Sequence, residues 1–200
     1  AAQQEYVNEY SLERSVEMSG MGCGKVEWTV DLASYTWTVA VQSAPDADWV
    51  GLGLSDNGGM KGADIVVVKR VGDSDDYVVE DMHSIDYVQP TKDLLQHVRL
   101  LDAYTDDQGR IRALLTRKLD TCDVEDMKLK ASKQPLICAS GNVDAKTGSI
   151  QYHGNLHGKA TVSLLLDEPA LVEQTFTKVN ATTDRNNGSP GITVNANLFT

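Results

Sequence analysis

The sequence predicts an all-β protein, either a β-sandwich or a β-barrel of about nine antiparallel strands. Apolar and polar residues alternate along many short segments, which is typical of half-buried antiparallel strands. Turn-forming residues separate these segments at short spacing. Helix signals are weak: only TCDVEDMKLKA, residues 121–131, favours a single helical turn, with Thr121 or Asp123 as its cap.

The first two strands are predicted over KVEWTVDL and YTWTVAVQ, residues 25–32 and 35–42. Val26, Trp28 and Val30 alternate with polar residues in the first of them, and the second has the same period of two. The link between the two segments is short enough for a hairpin. Seven further strands are predicted over residues 49–55, 65–71, 77–84, 95–104, 110–119, 135–141 and 159–167.

The character of the sequence changes near its end. Residues 1–167 carry the strand pattern, whereas residues 168–200 are polar and rich in turn formers. We expect a β-domain over 1–167 and a C-terminal extension over 168–200, with one more strand at ITVNANLF, residues 192–199.

Composition and motifs exclude several classes of function. The formal net charge of −11 argues against nucleic acid or an anionic membrane as a partner and favours a basic protein. No apolar run approaches the roughly 20 residues that cross a bilayer, so no transmembrane segment is predicted. The chain has no GxSxG, HExxH, P-loop or CxxC motif, and its carboxylates form no recognisable acid–base pair. No motif therefore supports a stand-alone enzyme, and no catalytic residue is predicted.

The three cysteines are Cys23, Cys122 and Cys138. Without a CxxC pair they do not predict a zinc ribbon or a thioredoxin-type site. Either one disulfide with one free thiol or no disulfide is compatible with the sequence.

Met60 lies in a polar, glycine-rich loop, SDNGGMKGAD, directly before an apolar strand. A methionine there either folds back onto the edge of the β-domain or offers a soft thioether ligand to copper(I) or haem iron. The most suggestive histidines, His153 and His157, lie in YHGNLHG. Glycines make a helical zinc pair improbable; in an extended chain both side chains share a face, or both are simply exposed loop residues.

Four blocks of the sequence resemble the DOMON family: WVGLGLSDNGGMKGADIVVV, VVEDMHS, RKLDTCDVEDMKL and YHGNLHGKATVSLLL. The resemblance covers residues 25–167 and implies an immunoglobulin-like antiparallel β-sandwich of about nine to eleven strands, secreted or extracellular. One branch of this family, which includes the cytochrome domain of cellobiose dehydrogenase, binds b-type haem and transfers single electrons. Another branch is haem-free and stands beside a copper monooxygenase core, where it could bind a sugar or a partner domain.

The haem-binding branch is the preferred interpretation, because both of its ligand positions are present. By resemblance, Met60 and His153 are the axial ligands of a non-covalent haem b iron, with His157 as the alternative to His153. The partner would be a redox protein or domain. The wall of the pocket is predicted to include Val50, Leu52 and Ile65, close to the methionine loop.

The resemblance also suggests a calcium-like site at Asp64, the carbonyls of Ile65 and Met82, and an aspartate where this chain has His97. Because this position has lost its carboxylate, no such site is predicted here, and Asp64 is instead expected to accept backbone hydrogen bonds. By the same resemblance, Cys122 matches a position that can tether another domain. It could also pair with Cys138 or Cys23, or stay free.

Overall fold

The computed structural model describes residues 12–72 and 74–165 of the chain. The predicted C-terminal extension and its strand at 192–199 lie outside these residues.

The described residues form strands and no helix. Their twelve strands are β1 (Arg14–Glu17), β2 (Ser19–Gly20), β3 (Lys25–Asp31), β4 (Thr36–Gln42), β5 (Trp49–Leu54), β6 (Asp64–Arg70), β7 (Tyr77–His83), β8 (Thr91–Lys92), β9 (Arg99–Thr105), β10 (Ile111–Lys118), β11 (Gln134–Gly141) and β12 (His157–Val162). They build two antiparallel sheets, ordered β1-β3-β4-β10-β9 and β2-β12-β11-β5-β6-β7-β8. The prediction of an all-β sandwich is confirmed.

The main core lies between the two sheets and follows from the period of two. Trp28, Val39 and Leu115 of the five-stranded sheet are at most 3% exposed, and Leu52 and Leu136 meet them from the seven-stranded sheet. Alternate residues of each strand point to opposite faces, so these positions are the apolar ones of their strands.

The seven-stranded sheet is also buried on its outer face, around β5. All six residues of this strand are buried, although strands with one wet face normally alternate in burial. Trp49, Ile65 and Val67 form a second apolar cluster there, together with Ala63 and Met82. This cluster faces away from the other sheet, so it is separate from the core between the two sheets.

The helical turn predicted at residues 121–131 is wrong. The segment is irregular, because its backbone N–H groups bond to side chains and to a neighbouring segment rather than to carbonyls one turn back. The Met127 N–H donates to the Asp64 carboxylate at 2.7 Å, and the Met127 carbonyl accepts from Arg117 at 2.6 Å. Asp64 therefore does accept a backbone hydrogen bond, as expected, and it also pairs with Arg117 at 2.7 Å.

Cys23 and Cys138 form a disulfide with their Cα atoms 6.2 Å apart, and Cys122 is a free, exposed thiol. The bond joins the segment before β3 to β11 across 115 residues of sequence. The sequence left the pairing open, because cysteine spacing does not show the antiparallel register that places β11 beside β12 and β12 beside β2.

Replacing Cys23 and Cys138 together with alanine is expected to lower the free energy of unfolding by about 2–5 kcal/mol, because the disulfide closes a long loop in the unfolded chain. Urea unfolding of the oxidised protein and the variant measures the difference. The matched control is Cys122→Ala, which is expected to change stability by no more than about 0.5 kcal/mol since its thiol is exposed. Equal stabilities of the double variant and the parent would contradict a structural role for the bond.

Candidate functional site

A cavity of about 710 Å³ opens on the outer face of the seven-stranded sheet. Its floor is formed by side chains and glycines of the central strands, and its rim by loops from both ends of the sheet. Gly51, Gly53, Ile65, Val67 and Ile137 form the floor. A volume of this size suits a small molecule or cofactor, and a mainly apolar lining with few polar groups is typical of such sites.

β5 carries glycine at two of its three outward positions, Gly51 and Gly53, so it adds no side chain to the floor there. A Cβ on Gly53 would lie 2.9 Å from Ile137 Cγ1 and 3.1 Å from Ile65 Cγ1, so the two isoleucines close over the glycine. The prediction that Ile65 lines the pocket is confirmed. The prediction for Val50 and Leu52 is wrong: their parity on β5 turns them inward, into the core between the sheets.

The loop that carries Met60 is held by the fully buried hydroxyl of Ser55. Ser55 Oγ accepts from the Gly58 N–H at 3.0 Å and donates to the Gly59 carbonyl at 2.7 Å. Asn57 Oδ1 accepts from the Gly59 N–H at 2.8 Å. These short-range bonds compete with regular structure and fix a compact turn. The polar residues around Met60 thus have a structural reason to be there.

Met60 is half-buried at the edge of the cavity. Its side chain packs against the outer apolar cluster that includes Trp49 and Ile65. The Met60 carbonyl accepts from the Ala63 N–H at 3.0 Å, which closes the loop onto β6. The thioether therefore lies at a fixed rim position, next to the apolar floor.

His153 lies across the same cavity, in the loop before β12, and is half-buried. Its Nδ1 is 2.9 Å from the Gly154 carbonyl oxygen. A carbonyl only accepts, so Nδ1 carries the proton and Nε2 keeps its lone pair for a ligand. Burial lowers the pKa of His153, with the charge on His157 also acting in that direction. The neutral imidazole that binds a metal is therefore favoured.

His157 begins β12 and also lines the cavity, but it is exposed. Its ring lies edge-on to that of His153, with centroids 5.3 Å apart. The structure thus brings all three predicted ligand candidates, Met60, His153 and His157, to one cavity. Burial and the fixed Nδ1 hydrogen bond distinguish His153 from His157.

Sequence reasoning missed the aromatic rim of the cavity. Tyr87 is 73% exposed and Tyr152 is 84% exposed, and both line the opening, as does Val88. The sequence signal was weak. The segment SIDYVQP lacks the alternation of a strand, and its apolar residues become informative only once the structure shows them exposed beside the cavity.

The residues present fit a haem. The donor set is one thioether and one imidazole with a free Nε2, which is the pairing that makes iron six-coordinate in electron-transfer haem proteins. The apolar floor, which includes Ile65, Val67 and Ile137, offers contact surface to a planar ring. No CxxCH motif is present, so attachment would be non-covalent.

The domain is thus a β-sandwich with an apolar cavity on one outer face, and a methionine and a histidine lie at the rim of this cavity. The chain belongs to the DOMON family: the model of the DOMON domain matches residues 22–141.

Solved structures of cytochrome domains share this fold. One is the cytochrome domain of cellobiose dehydrogenase from Myriococcum thermophilum, with a TM-score of 0.54, 10% identity and coverage of 71% of this chain and 74% of that chain. Another is the cytochrome b domain of pyranose dehydrogenase from Coprinopsis cinerea, with a TM-score of 0.53, 12% identity and coverage of 69% and 75%. At such identities the likeness is one of fold.

A curated relative is "DBH-like monooxygenase protein 1" of Gallus gallus, 34% identical over 124 residues. The match covers 62% of this chain but 20% of that protein, so the chain spans about a fifth of the length of this relative. Within the described residues, no helix is long and apolar enough to cross a membrane.

Proposed function

We propose that this domain is an extracellular b-type cytochrome that transfers single electrons, with Met60 and His153 as the axial ligands of a non-covalent haem. The observation that carries the proposal is the placement of Met60 and His153 on the rim of one apolar cavity. The buried disulfide between Cys23 and Cys138 supports an oxidising compartment, and hence secretion.

A haem bound here would supply reversible one-electron chemistry at a fixed coordination number. The chain's own residues would hold and tune it. The Gly154 carbonyl orients the His153 ring, and Ser55 holds the loop that presents Met60. The apolar floor around Ile65 and Val67 excludes water, which is one of the factors that set a reduction potential.

The partner would be a redox protein or domain that approaches the cavity side. Tyr87, Val88 and Tyr152 provide exposed apolar surface there. The net charge of −11 favours a basic docking surface and a rate of association that falls as salt rises.

A second candidate function is binding of carbohydrate in the same cavity. Its support is the pair of exposed tyrosines at the rim, since aromatic faces offer flat apolar contact area to a ligand. Sugar binding needs no metal and gives no role to Met60 and His153 at the rim of the cavity. We therefore place it second.

Titrating the metal-free full chain with haemin tests the proposal. We expect one haem per chain, a sharp Soret band, and sharp α and β bands after reduction. The second candidate function is tested by adding a cellooligosaccharide to the haem-free chain and measuring its binding by calorimetry. A chain that takes up no haemin, whether or not it binds sugar, would contradict the cytochrome assignment.

A further inference from the structure

A second group of metal-binding side chains lies on the inner side of the seven-stranded sheet, away from the cavity. It consists of Asp81 on β7, His97 before β9 and Asp126 in the segment after β10. One donor atom from each of these residues lies within 4.8 Å of the other two. Three separate parts of the chain therefore meet at one point.

Asp81 Oδ2 accepts from the His97 N–H at 3.0 Å, but four other atoms of the group that could bind a metal have no hydrogen-bond partner. These are Asp81 Oδ1, both carboxylate oxygens of Asp126, and His97 Nδ1. His97 Nδ1 and Asp126 Oδ2 are 3.1 Å apart but lack hydrogen-bond geometry. The Asp126 side chain is 2% exposed and Asp81 is 1% exposed. Buried polar atoms without partners are rare in native proteins, and an ion is one of the few explanations.

Further acidic side chains lie close to this group, and a cation would be attracted to them. Asp93, Asp123 and Glu125 surround it with further carboxylates. The hydrogen bonds of the Arg117 guanidinium go to Asp64 and the Met127 carbonyl, not to this group.

We propose that Asp81, His97 and Asp126 bind one zinc-like divalent cation, independent of the haem-type cavity. One imidazole and two carboxylates suit zinc, which prefers nitrogen with oxygen at about 2.0–2.2 Å and reaches this with small side-chain rotations. His97 is 27% exposed, so a water can complete a four-coordinate site. Calcium prefers six to eight oxygens, and an imidazole donor works against it.

These ligands differ from those that the family resemblance suggested for a calcium-like site. Asp64 is engaged by Arg117 and Met127, and neither Asp81 nor Asp126 was part of that expectation. Of the positions in that expectation, only His97 belongs to this group. A cation here would fasten the irregular segment of Asp126 to β7 and to the loop of His97.

Titrating the chelator-treated full chain with Zn²⁺, and separately with Ca²⁺, tests the site by calorimetry. We expect one Zn²⁺ per chain and a clear preference over Ca²⁺. His97→Gln and Asp126→Asn, which preserve side-chain volume, are expected to weaken Zn²⁺ binding by more than about 100-fold, since the loss of outer partners alone costs about 10–100-fold. Co²⁺ bound to the parent chain is expected to give visible d–d bands and to shift the proton signals of one histidine.

His83→Gln is the matched control, because His83 lies in the adjacent group with Asp93 and Glu125. It is expected to keep both Zn²⁺ binding and the Co²⁺ bands. His153→Ala is expected to keep them too, which separates this site from the haem-type cavity. No Zn²⁺ uptake by the parent chain, tighter Ca²⁺ than Zn²⁺ binding, or loss of binding in His83→Gln with retention in His97→Gln would overturn the proposal.

Discussion

His153→Ala is expected to weaken haem binding by more than about 100-fold, because it removes the nitrogen ligand whose ring the Gly154 carbonyl holds in place. Haemin titration, followed at the Soret band, measures the loss. His157→Ala is the matched control: it removes an exposed histidine of the same cavity and is expected to leave affinity within about tenfold of the parent. The reverse ranking of the two variants would assign the ligand to His157.

Met60→Leu is expected to give a different result, because the nitrogen ligand remains. The protein should keep haem but lose the six-coordinate spectrum and shift to a lower reduction potential, since methionine ligation raises the potential. Met21→Leu is the control, because the Met21 side chain is exposed and does not line the cavity, although the Met21 N–H donates to the carbonyl of the lining residue His157 at 3.2 Å. A Met60→Leu protein with the parent's spectrum would contradict ligation by its sulfur.

Arg117→Met is expected to destabilise the fold by about 3–5 kcal/mol, because it leaves the Asp64 carboxylate buried without its counter-charge. The pair joins β10 of one sheet to β6 of the other, and it also holds Met127 through two backbone hydrogen bonds. Urea unfolding at neutral pH measures the loss. Asp86→Ala, which breaks the exposed pair of Asp86 with Lys61, is expected to cost no more than about 1 kcal/mol.

The cost of Arg117→Met is expected to depend on pH. Burial already raises the pKa of Asp64, and loss of Arg117 removes the largest opposing influence, so the pKa rises further. A raised folded-state pKa gives stability that is present below the unfolded value of about 4 and is lost as the pH rises through the folded value. The difference between variant and parent should therefore shrink from about pH 7 to about pH 4. A cost that is the same at both pH values would contradict this explanation.

The fold could be predicted because its signals are local. Alternation in Val26, Trp28 and their neighbours marked the strands, and polar turns marked their ends. β1 was missed, since Arg14–Glu17 has only one apolar residue facing the core and depends on pairing with β3. Two of the three residues predicted for the wall of the cavity, Val50 and Leu52, were wrong because β5 is buried on both faces. Parity shows which residues share a face, but it does not show which of two buried faces holds the ligand.

The candidate ligands were proposed from the resemblance to the DOMON family, and their geometry could not be predicted. Met60 and His153 are 93 positions apart in the sequence, and only the register of β5, β6, β11 and β12 brings their loops to one cavity. The group of Asp81, His97 and Asp126 was not predicted: its members come from three segments, no metal motif spaces them, and only position 97 belonged to the site that the resemblance suggested. Contacts of this kind are set by tertiary packing.

The central claim is that one sulfur and one histidine nitrogen, from Met60 and His153, bind one haem iron. X-ray absorption at the iron edge of the haemin-reconstituted full chain tests it most directly, in parallel with the Met60→Leu protein. We expect one sulfur neighbour among nitrogen neighbours in the parent chain and none in the variant. A first shell of nitrogen alone in the parent, as His153 and His157 together would give, would contradict the account.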